Sequence, residues 1–217
     1  MLNKIDYTNY INKLPSPYYF CDYTPSFKRI EDNTKDFIDD FVPLTRPVAN
    51  EMSNMNLNVL LQHLIGLGDT CKFIVEIGVM RDRNKQNTTL QFLKQKVKDC
   101  IYLGIDIEDR SYILSLADNV HFLRTDSGDL NKIVNYINTY INRPIDFLYI
   151  DGWHSVSQVG KEIALINYVR TGGVIGFHDI AYHPGPNTWI DAFSDKYFNI
   201  NKYYEDSDYG IGVIVKK

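Results

Sequence analysis

The sequence predicts an α/β protein built around a mostly parallel sheet. Short apolar runs alternate with segments whose apolar residues recur at helical spacing, a pattern typical of strand–helix–strand units with right-handed crossovers. The runs are apolar throughout, as expected for strands that are covered on both faces. With 217 residues, the chain is long enough for one such domain and too short for two of ordinary size.

The predicted elements begin after residue 55. The first is a helix with apolar residues at helical spacing from Leu57 to Ile65, and Gly66 ends it. Strands are predicted at 73–77, 101–105, 120–123, 145–150 and 173–177. Helices are predicted at 88–97, 130–141, 156–166 and 188–197. Two last strands, near Tyr203 and over 211–215, follow each other through a tight connection and predict an antiparallel hairpin.

The first 55 residues differ from the rest of the chain. They contain five of the eight prolines and many aromatic residues, which indicates turns and short helices rather than long elements. We interpret residues 1–55 as an arm or lid that packs on the main domain, which spans 56–217. A loosely attached tail is the alternative.

Composition and charge limit the possible functions. The chain is 44% hydrophobic with a net charge of −4, so we expect a globular protein without a basic surface for nucleic acid. Cys21, Cys71 and Cys100 form no CxxC pair, which disfavours a structural zinc site and a disulfide framework and suits a reducing compartment. With no signal-peptide core and no apolar run near membrane-spanning length, we expect a cytoplasmic protein that does not bind membranes.

Five successive predicted strands end at or beside a glycine or an acidic residue. Ligands of open α/β sheets bind outside the carboxyl ends of the strands. These five residues are therefore expected together along that edge of the sheet. They are Gly78, Asp106, Asp126, Asp151 and Asp179. The loop after Gly78 has no second glycine, which disfavours a nicotinamide enzyme because the GxGxxG turn is missing.

Three of the residues that follow the strands fit a nucleoside. Asp106, at the end of the second strand, is suited to accept both hydrogen bonds of a ribose diol. Asp126 and Ser127, on the next loop, fit the edge of an adenine. For Asp126, a turn or the N-cap of the helix at Leu130 is an alternative of equal weight.

The densest group of chemically active residues follows the fourth and fifth strands. If these strands are neighbours, Asp151 and Asp179 lie about 5 Å apart and need a proton or a cation between them. Mg²⁺ is the first candidate and Mn²⁺ the second. His154 lies one turn beyond Asp151 and fits a general base at neutral pH. A helix cap or a surface histidine is the alternative for His154 taken alone.

Five segments resemble class I S-adenosylmethionine-dependent methyltransferases: FIVEIGV, YLGIDIE, RTDSGDL, IDFLYIDGWHS and RTGGVIGFHDI. The nearest branch is the metal-dependent O-methyltransferases related to macrocin O-methyltransferase and cephalosporin hydroxylase-like proteins. The resemblance covers roughly residues 70 to 217, and its specific part is the pair IDG-x-H and GG-x4-HD. It implies a Rossmann-like methyltransferase fold with a seven-stranded sheet in the order 3-2-1-4-5-7-6, which agrees with the predicted hairpin.

The resemblance also implies where the cofactor lies. It places Glu76 and Gly78 beside the methionine part of S-adenosylmethionine, Asp106 beside the ribose, and Asp126 with Ser127 beside the adenine. The first loop departs from the family, because it is longer and charged (RDRNKQN). Arg81, Arg83 or the helix N-terminus at Thr88 would then have to hold the carboxylate of the cofactor.

For the metal, the resemblance implies Asp151 and Asp179 as ligands and His154 as the catalytic base. His178 stands where relatives carry a carboxylate ligand. A histidine ligand shifts the preference from Mg²⁺ towards Mn²⁺ or another transition metal. Alternatively, His178 supports a ligand without touching the ion.

The function expected from these residues is methyl transfer to a hydroxyl of a vicinal diol, with a sugar preferred over a catechol-like ring. Two alternatives remain open. One is a metal-dependent hydrolase built on His154, His178, Asp179 and His183. The other is a non-catalytic scaffold or binding relative of the fold. By analogy with relatives, the N-terminal segment is a candidate surface for homo-oligomer formation.

Overall fold

The structure is a computed structural model, and it describes residues 52–79, 87–96, 99–181, 183–203 and 209–217. Nearly all of the predicted arm or lid lies outside these ranges. So do Arg81 and Arg83, the two candidates for holding a cofactor carboxylate, and most of the connection before Gly210.

The described residues form a seven-stranded sheet in the order β3-β2-β1-β4-β5-β7-β6. The first five strands are parallel to their neighbours, and β7 runs antiparallel to both β5 and β6. The strands are β1 (Phe73–Ile77), β2 (Ile101–Asp106), β3 (Val120–Arg124), β4 (Ile145–Ile150), β5 (Val169–His178), β6 (Phe198–Tyr203) and β7 (Ile211–Lys216). This confirms the predicted α/β class, the strand order and the terminal hairpin.

Five α-helices are present in the described residues. They are α1 (Asn54–Gly66), α2 (Thr88–Gln95), α3 (Leu130–Tyr136), α4 (Val156–Glu162) and α5 (Pro184–Ala192). The first four begin at a side chain that accepts a backbone N–H of the first turn, which satisfies a donor the helix itself leaves unpaired. These N-cap residues are Ser53, Asn87, Asp129 and Ser155.

The last helix differs from its prediction. It was expected over 188–197, whereas α5 spans Pro184–Ala192. Proline lacks an N–H and fixes φ, so it is tolerated in the first turn of a helix, where the N–H has no intrahelical partner. Pro184 and Pro186 therefore begin this helix, and the chain turns around Ser194 into β6.

The central strands of the sheet are buried on both faces. Along β1, Phe73, Val75 and Ile77 contribute to the cluster that packs against α3, α4 and α5, whereas Ile74 contributes to the cluster on the opposite face. Full burial of one such side chain stabilises the fold by about 1.5–3 kcal/mol. The two layers of helices hold the sheet between them and leave the carboxyl ends of the parallel strands as the edge on which the loops gather.

Within the described ranges, no helix has both the length and the apolar character that crossing a membrane requires.

Candidate active site

The carboxyl ends of β1 and β4 approach each other closely at Gly78. This residue has a φ of 83°, and a Cβ atom placed on it would lie 2.0 Å from the backbone oxygen of Asp151. The N–H of Asp151 donates to the Ile77 oxygen at 3.0 Å, and the N–H of Gly78 donates to the Ile105 oxygen at 3.0 Å. Only glycine fits this position, because it combines a left-handed φ with the absence of a side chain.

A pocket of about 350 Å³ lies over the ends of β1 to β4. This volume is within the range of about 300–1,000 Å³ typical of small-molecule sites. Four of the five predicted cofactor residues line it, together with part of the loop after β4. The lining includes Gly78, Asp106, Asp126, Ser127, Gly152 and Trp153.

Asp106 is held in the pocket wall by the backbone. Its Oδ2 accepts the N–H of Val79 at 2.9 Å, and its Oδ1 accepts the N–H of Glu108 at 2.8 Å. Each carboxylate oxygen has further acceptor capacity. The carboxylate is therefore oriented before any ligand arrives, and it remains able to accept hydroxyl groups from the pocket.

Asp126 and Ser127 belong to a hydrogen-bonded turn. Asp126 Oδ1 accepts the N–H of Gly128 at 2.7 Å and the Nε2 of Gln158 at 2.9 Å. Ser127 accepts the same Gln158 amide at 2.9 Å and donates its hydroxyl to Glu162 at 2.5 Å. The N-cap of α3 is Asp129. Asp126 is therefore part of a turn, and the alternative prediction that it caps this helix is wrong.

Glu162 connects this turn to the base of the pocket and was not identified from the sequence. Its side chain is fully buried, and burial raises its pKa to about 8, although hydrogen bonds from Ser127 and Gln158 pull the pKa down. The signal was in the sequence: Glu162 lies three residues after Val159, on the face of the predicted helix that carries its apolar residues.

Glu76 lies within β1, below the pocket, and does not line it. Its buried carboxylate accepts the hydroxyls of Thr88 and Tyr102. Burial raises its pKa to about 7, against the lowering effect of these hydroxyl donors. Glu76 thus links Thr88, the first residue of α2, to Tyr102 of β2.

The two buried glutamates predict how stability depends on pH. Their folded-state pKa values lie above those of an unfolded chain, so the protonated acids stabilise the fold. This stabilisation is complete below about pH 4.3 and is lost as the pH rises through about 7 for Glu76 and 8 for Glu162. The melting temperature should fall across this window. In Glu162→Gln, which mimics the protonated acid, the fall between pH 6 and 9 should shrink by about 5 °C.

Scanning calorimetry across this pH range tests the expectation. Glu108→Gln, an exposed carboxylate of the same pocket, is the matched control and should follow the wild-type curve. A Glu162→Gln profile as steep as that of the wild type would contradict a protonated Glu162 in the native state.

Beside the pocket, the predicted metal-binding group is brought together as a compact cluster. His178 Nδ1 lies 3.1 Å from Asp151 Oδ1 and 3.2 Å from Asp179 Oδ1. His154 Nε2 lies 3.3 Å from Asp151 Oδ1 and 3.0 Å from Asp179 Oδ2. The sequence predicts two carboxylates that face each other directly; in the structure the two imidazoles lie between them.

The electrostatics of the cluster favour an ionised carboxylate. Burial would raise the pKa of Asp151, but the charges and hydrogen bonds of His178 and His154 outweigh it and hold the pKa of Asp151 below its usual range. Without an ion, the positive charge beside Asp151 comes from the two imidazoles themselves.

Asp179 and His183 complete the cluster. Asp179 has a φ of 61°, a conformation uncommon outside glycine and often found at functional sites. His183 is buried, its ring stacks on His154 with centroids 4.7 Å apart, and its Nε2 lies 3.9 Å from Asp179 Oδ2. The sequence assigns His183 a role only in the hydrolase alternative, and the structure places it beside the predicted metal-binding group.

The loop after β4 joins the cluster and the pocket. Its two outer residues, Asp151 and His154, belong to the cluster, whereas the two residues between them, Gly152 and Trp153, line the pocket. The two sites are thus adjacent along one four-residue segment, so a ligand in the pocket and a ligand at the cluster would lie next to each other.

The strand order and the pocket over the strand ends define the class of protein, an α/β fold of the methyltransferase type. The chain belongs to the family described as "Methyltransferase domain", whose pattern matches residues 65–180. This range includes β1 to β5 and nearly all of the residues discussed above.

Solved structures support the fold. The MycE methyltransferase of the mycinamycin biosynthetic pathway, solved with Mg, S-adenosylhomocysteine and mycinamycin VI, is 19% identical with a TM-score of 0.57, over 73% of this chain and 48% of its own. An O-methyltransferase from Bacillus cereus, solved with S-adenosylhomocysteine, is 17% identical with a TM-score of 0.57, over 79% and 84%. An rRNA methylase from Streptococcus thermophilus is 13% identical with a TM-score of 0.55, over 74% and 96%.

At these identities the likeness concerns the fold alone, and the chain spans about half the length of the MycE protein. A search of the curated proteins finds no match.

Proposed function

We propose that this chain is an S-adenosylmethionine-dependent, divalent-metal-dependent O-methyltransferase that acts on one hydroxyl of a vicinal diol, with a sugar as the preferred acceptor. The observation that carries the proposal is the four-residue loop 151–154 after β4, which contributes both to a nucleoside-sized pocket and to the adjacent cluster of aspartates and histidines. A methyl donor and an acceptor that needs activation require two such neighbouring sites.

The pocket residues suit the donor. Asp106 carries two oriented carboxylate oxygens, which match the two hydroxyls of a ribose. The turn at Asp126 and Ser127 also lines the pocket, and Trp153 gives it a partly exposed aromatic surface. We assign the ribose to Asp106 and the adenine edge to the turn; Gly78 leaves room for the methionine end at the carboxyl end of β1.

The cluster residues suit a divalent cation. Asp151, His178 and Asp179 offer ligand atoms that all lie within 4.8 Å of one another, and such a set of two carboxylates and one imidazole is compatible with Mn²⁺ and with other transition metals as well as with Mg²⁺. We propose these three residues as the ligands.

When bound, S-adenosylmethionine supplies a methyl group on a sulfonium, and the divalent ion supplies positive charge beside the acceptor oxygens. The chain contributes position and proton transfer. His154 Nε2 lies between Asp151 and Asp179 and donates to these carboxylates while they are ionised and hold no ion. With their charge taken up by a cation, its lone pair would be available to take the proton of the reacting hydroxyl. The carboxylate of Asp179 beside Nε2 then stabilises the imidazolium that forms.

A diol is favoured because two adjacent oxygens bind one cation in the same way that two carboxylate oxygens do. The sugar preference rests on the resemblance of the IDG-x-H and GG-x4-HD segments to enzymes of sugar hydroxyls. A catechol-like ring has the same pair of oxygens and is the alternative acceptor.

The first experiment is calorimetric titration of the protein with S-adenosylhomocysteine in Mg²⁺, in Mn²⁺ and in chelator. We expect a dissociation constant near the micromolar range, about −8 kcal/mol. Asp106→Ala should weaken binding at least tenfold, because the ribose loses its acceptor. Asp69→Ala, an exposed aspartate outside the pocket lining, is the matched control and should bind as the wild type does. Absence of binding in every condition would contradict the proposed function.

A metal-dependent hydrolase is the second candidate, and the buried His183 beside His154 and Asp179 is the observation in its favour. It needs no adenosyl ligand. The same titration therefore separates the two: a protein that binds a divalent ion but not S-adenosylhomocysteine would favour the hydrolase.

A further inference from the structure

We propose that the cluster contains a second metal position, formed by His154 Nε2, Asp179 Oδ2 and His183 Nε2, which prefers zinc-like transition metals to Mg²⁺. It goes beyond the proposed function, which places one ion among Asp151, His178 and Asp179. Asp179 belongs to both positions.

The two oxygens of Asp179 point to different partners. Oδ1 lies 3.2 Å from His178 Nδ1, on the side shared with Asp151. Oδ2 lies 3.0 Å from His154 Nε2 and 3.9 Å from His183 Nε2. One carboxylate thus faces two neighbouring groups of ligand atoms, which meet where His154 Nε2 lies 3.3 Å from Asp151 Oδ1, and a carboxylate placed in this way can bridge two ions.

The spacing of the second group suits a single ion. Ligands that lie about 2.0–2.2 Å from a shared tetrahedral Zn²⁺ are about 3.3–3.6 Å apart. The two measured separations around Asp179 Oδ2 bracket this range, and all three ligand atoms lie within 4.8 Å of one another. An imidazole binds an ion in the plane of its ring, so completing the site requires the His183 ring to rotate out of its stack on His154.

The ligand types set the selectivity. Two imidazoles and one carboxylate favour zinc, cobalt, nickel or copper ions, whereas Mg²⁺ prefers oxygen ligands and keeps its water. The three residues are also buried: His154, Asp179 and His183 are 4%, 5% and 1% exposed.

Occupation of this position has a consequence for the proposed function. The Nε2 of His154 is both a ligand atom of the second position and the proposed proton acceptor. A nitrogen whose lone pair is bound to an ion does not accept a proton, so zinc-like ions at this position would inhibit the transferase while Mg²⁺ at the first position would not.

The test measures metal stoichiometry on the full chain. Metal-free protein is titrated with Co²⁺, and binding is followed by calorimetry and by visible absorption of the bound ion. We expect two ions per chain in the wild type. His183→Phe, which keeps an aromatic ring against His154, and Asp151→Asn should each bind one. His63→Phe, on α1 away from the cluster, is the matched control and should bind two.

One ion per chain in the wild type, or two in His183→Phe, would overturn the second position. If His183→Phe does not fold, anomalous diffraction from cobalt-loaded wild-type crystals decides: two peaks about 3–4 Å apart beside Asp179 support the proposal, and one peak contradicts it. Calorimetry with S-adenosylhomocysteine is independent of this result, so failure of the second position and failure of the proposed function are distinguishable.

Discussion

Replacement of His154 by glutamine should lower turnover by about 100-fold or more. The imidazole Nε2 lies 3.3 Å from Asp151 Oδ1 and 3.0 Å from Asp179 Oδ2, at the centre of the proposed acceptor site. Glutamine fills similar space but does not take a proton near neutral pH. The loss should appear in the rate of methyl transfer under single-turnover conditions, with the diol acceptor that a screen of sugars and catechols identifies. Affinity for S-adenosylhomocysteine should change little, because His154 is not part of the pocket lining.

A matched control separates the loss of the base from the general loss of a histidine. His121, on β3, is half-buried and contacts the hydroxyl of Tyr136 at 3.1 Å, away from the cluster. His121→Gln should keep the wild-type rate. If His154→Gln also keeps that rate between pH 6 and 9, the proton is taken by another group and His154 serves only to bind or to position.

The parts of the fold that the sequence predicts are those set by local pattern. The strands from β1 to β4 are short, mainly apolar runs, and residues such as Gly78, Asp106 and Asp151 directly follow or end them. Since a doubly wound sheet directs the ends of its parallel strands to one edge, the pocket and the cluster follow from the strand order alone.

Other features depend on tertiary packing, and the sequence does not contain them in readable form. Glu76 sits inside a strand, and only the approach of Thr88 and Tyr102 decides that its carboxylate is buried below the pocket. The orientation of Asp179 depends on its left-handed backbone and on two imidazoles, His178 at the end of β5 and His154 in the loop after β4. Pro184 does mark the start of α5 in the sequence, but the helical spacing of the apolar residues after it predicts a later start.

The close approach of β1 and β4 at Gly78 leaves no room for a side chain. Gly78→Ala should destabilise the fold by about 3 kcal/mol or more, since a left-handed φ costs about 1–2 kcal/mol for a residue with a Cβ and overpacking costs about 1–3 kcal/mol. The new Cβ would meet the Asp151 oxygen at 2.0 Å and its carbonyl carbon at 2.7 Å. The melting temperature should fall by about 6 °C or more.

The clash also carries a functional consequence, because relief of the contact has to move the backbone of Asp151. Gly152, the next residue, is itself confined: a Cβ atom placed on it would lie 2.8 Å from Glu162 Oε1 and 3.0 Å from the Ile77 side chain, so the loop after β4 has little room to retreat. Gly78→Ala should therefore weaken both S-adenosylhomocysteine and metal binding, measured by calorimetry below the melting point of the variant.

Gly66→Ala is the matched control: nothing lies within 4 Å of the place its Cβ would take at the end of α1, so stability and binding should stay close to wild type. If Gly78→Ala melts with the wild type and binds both ligands normally, β1 and β4 do not approach as closely as described, and the adjacency of pocket and cluster, on which the proposed function depends, would have to be abandoned.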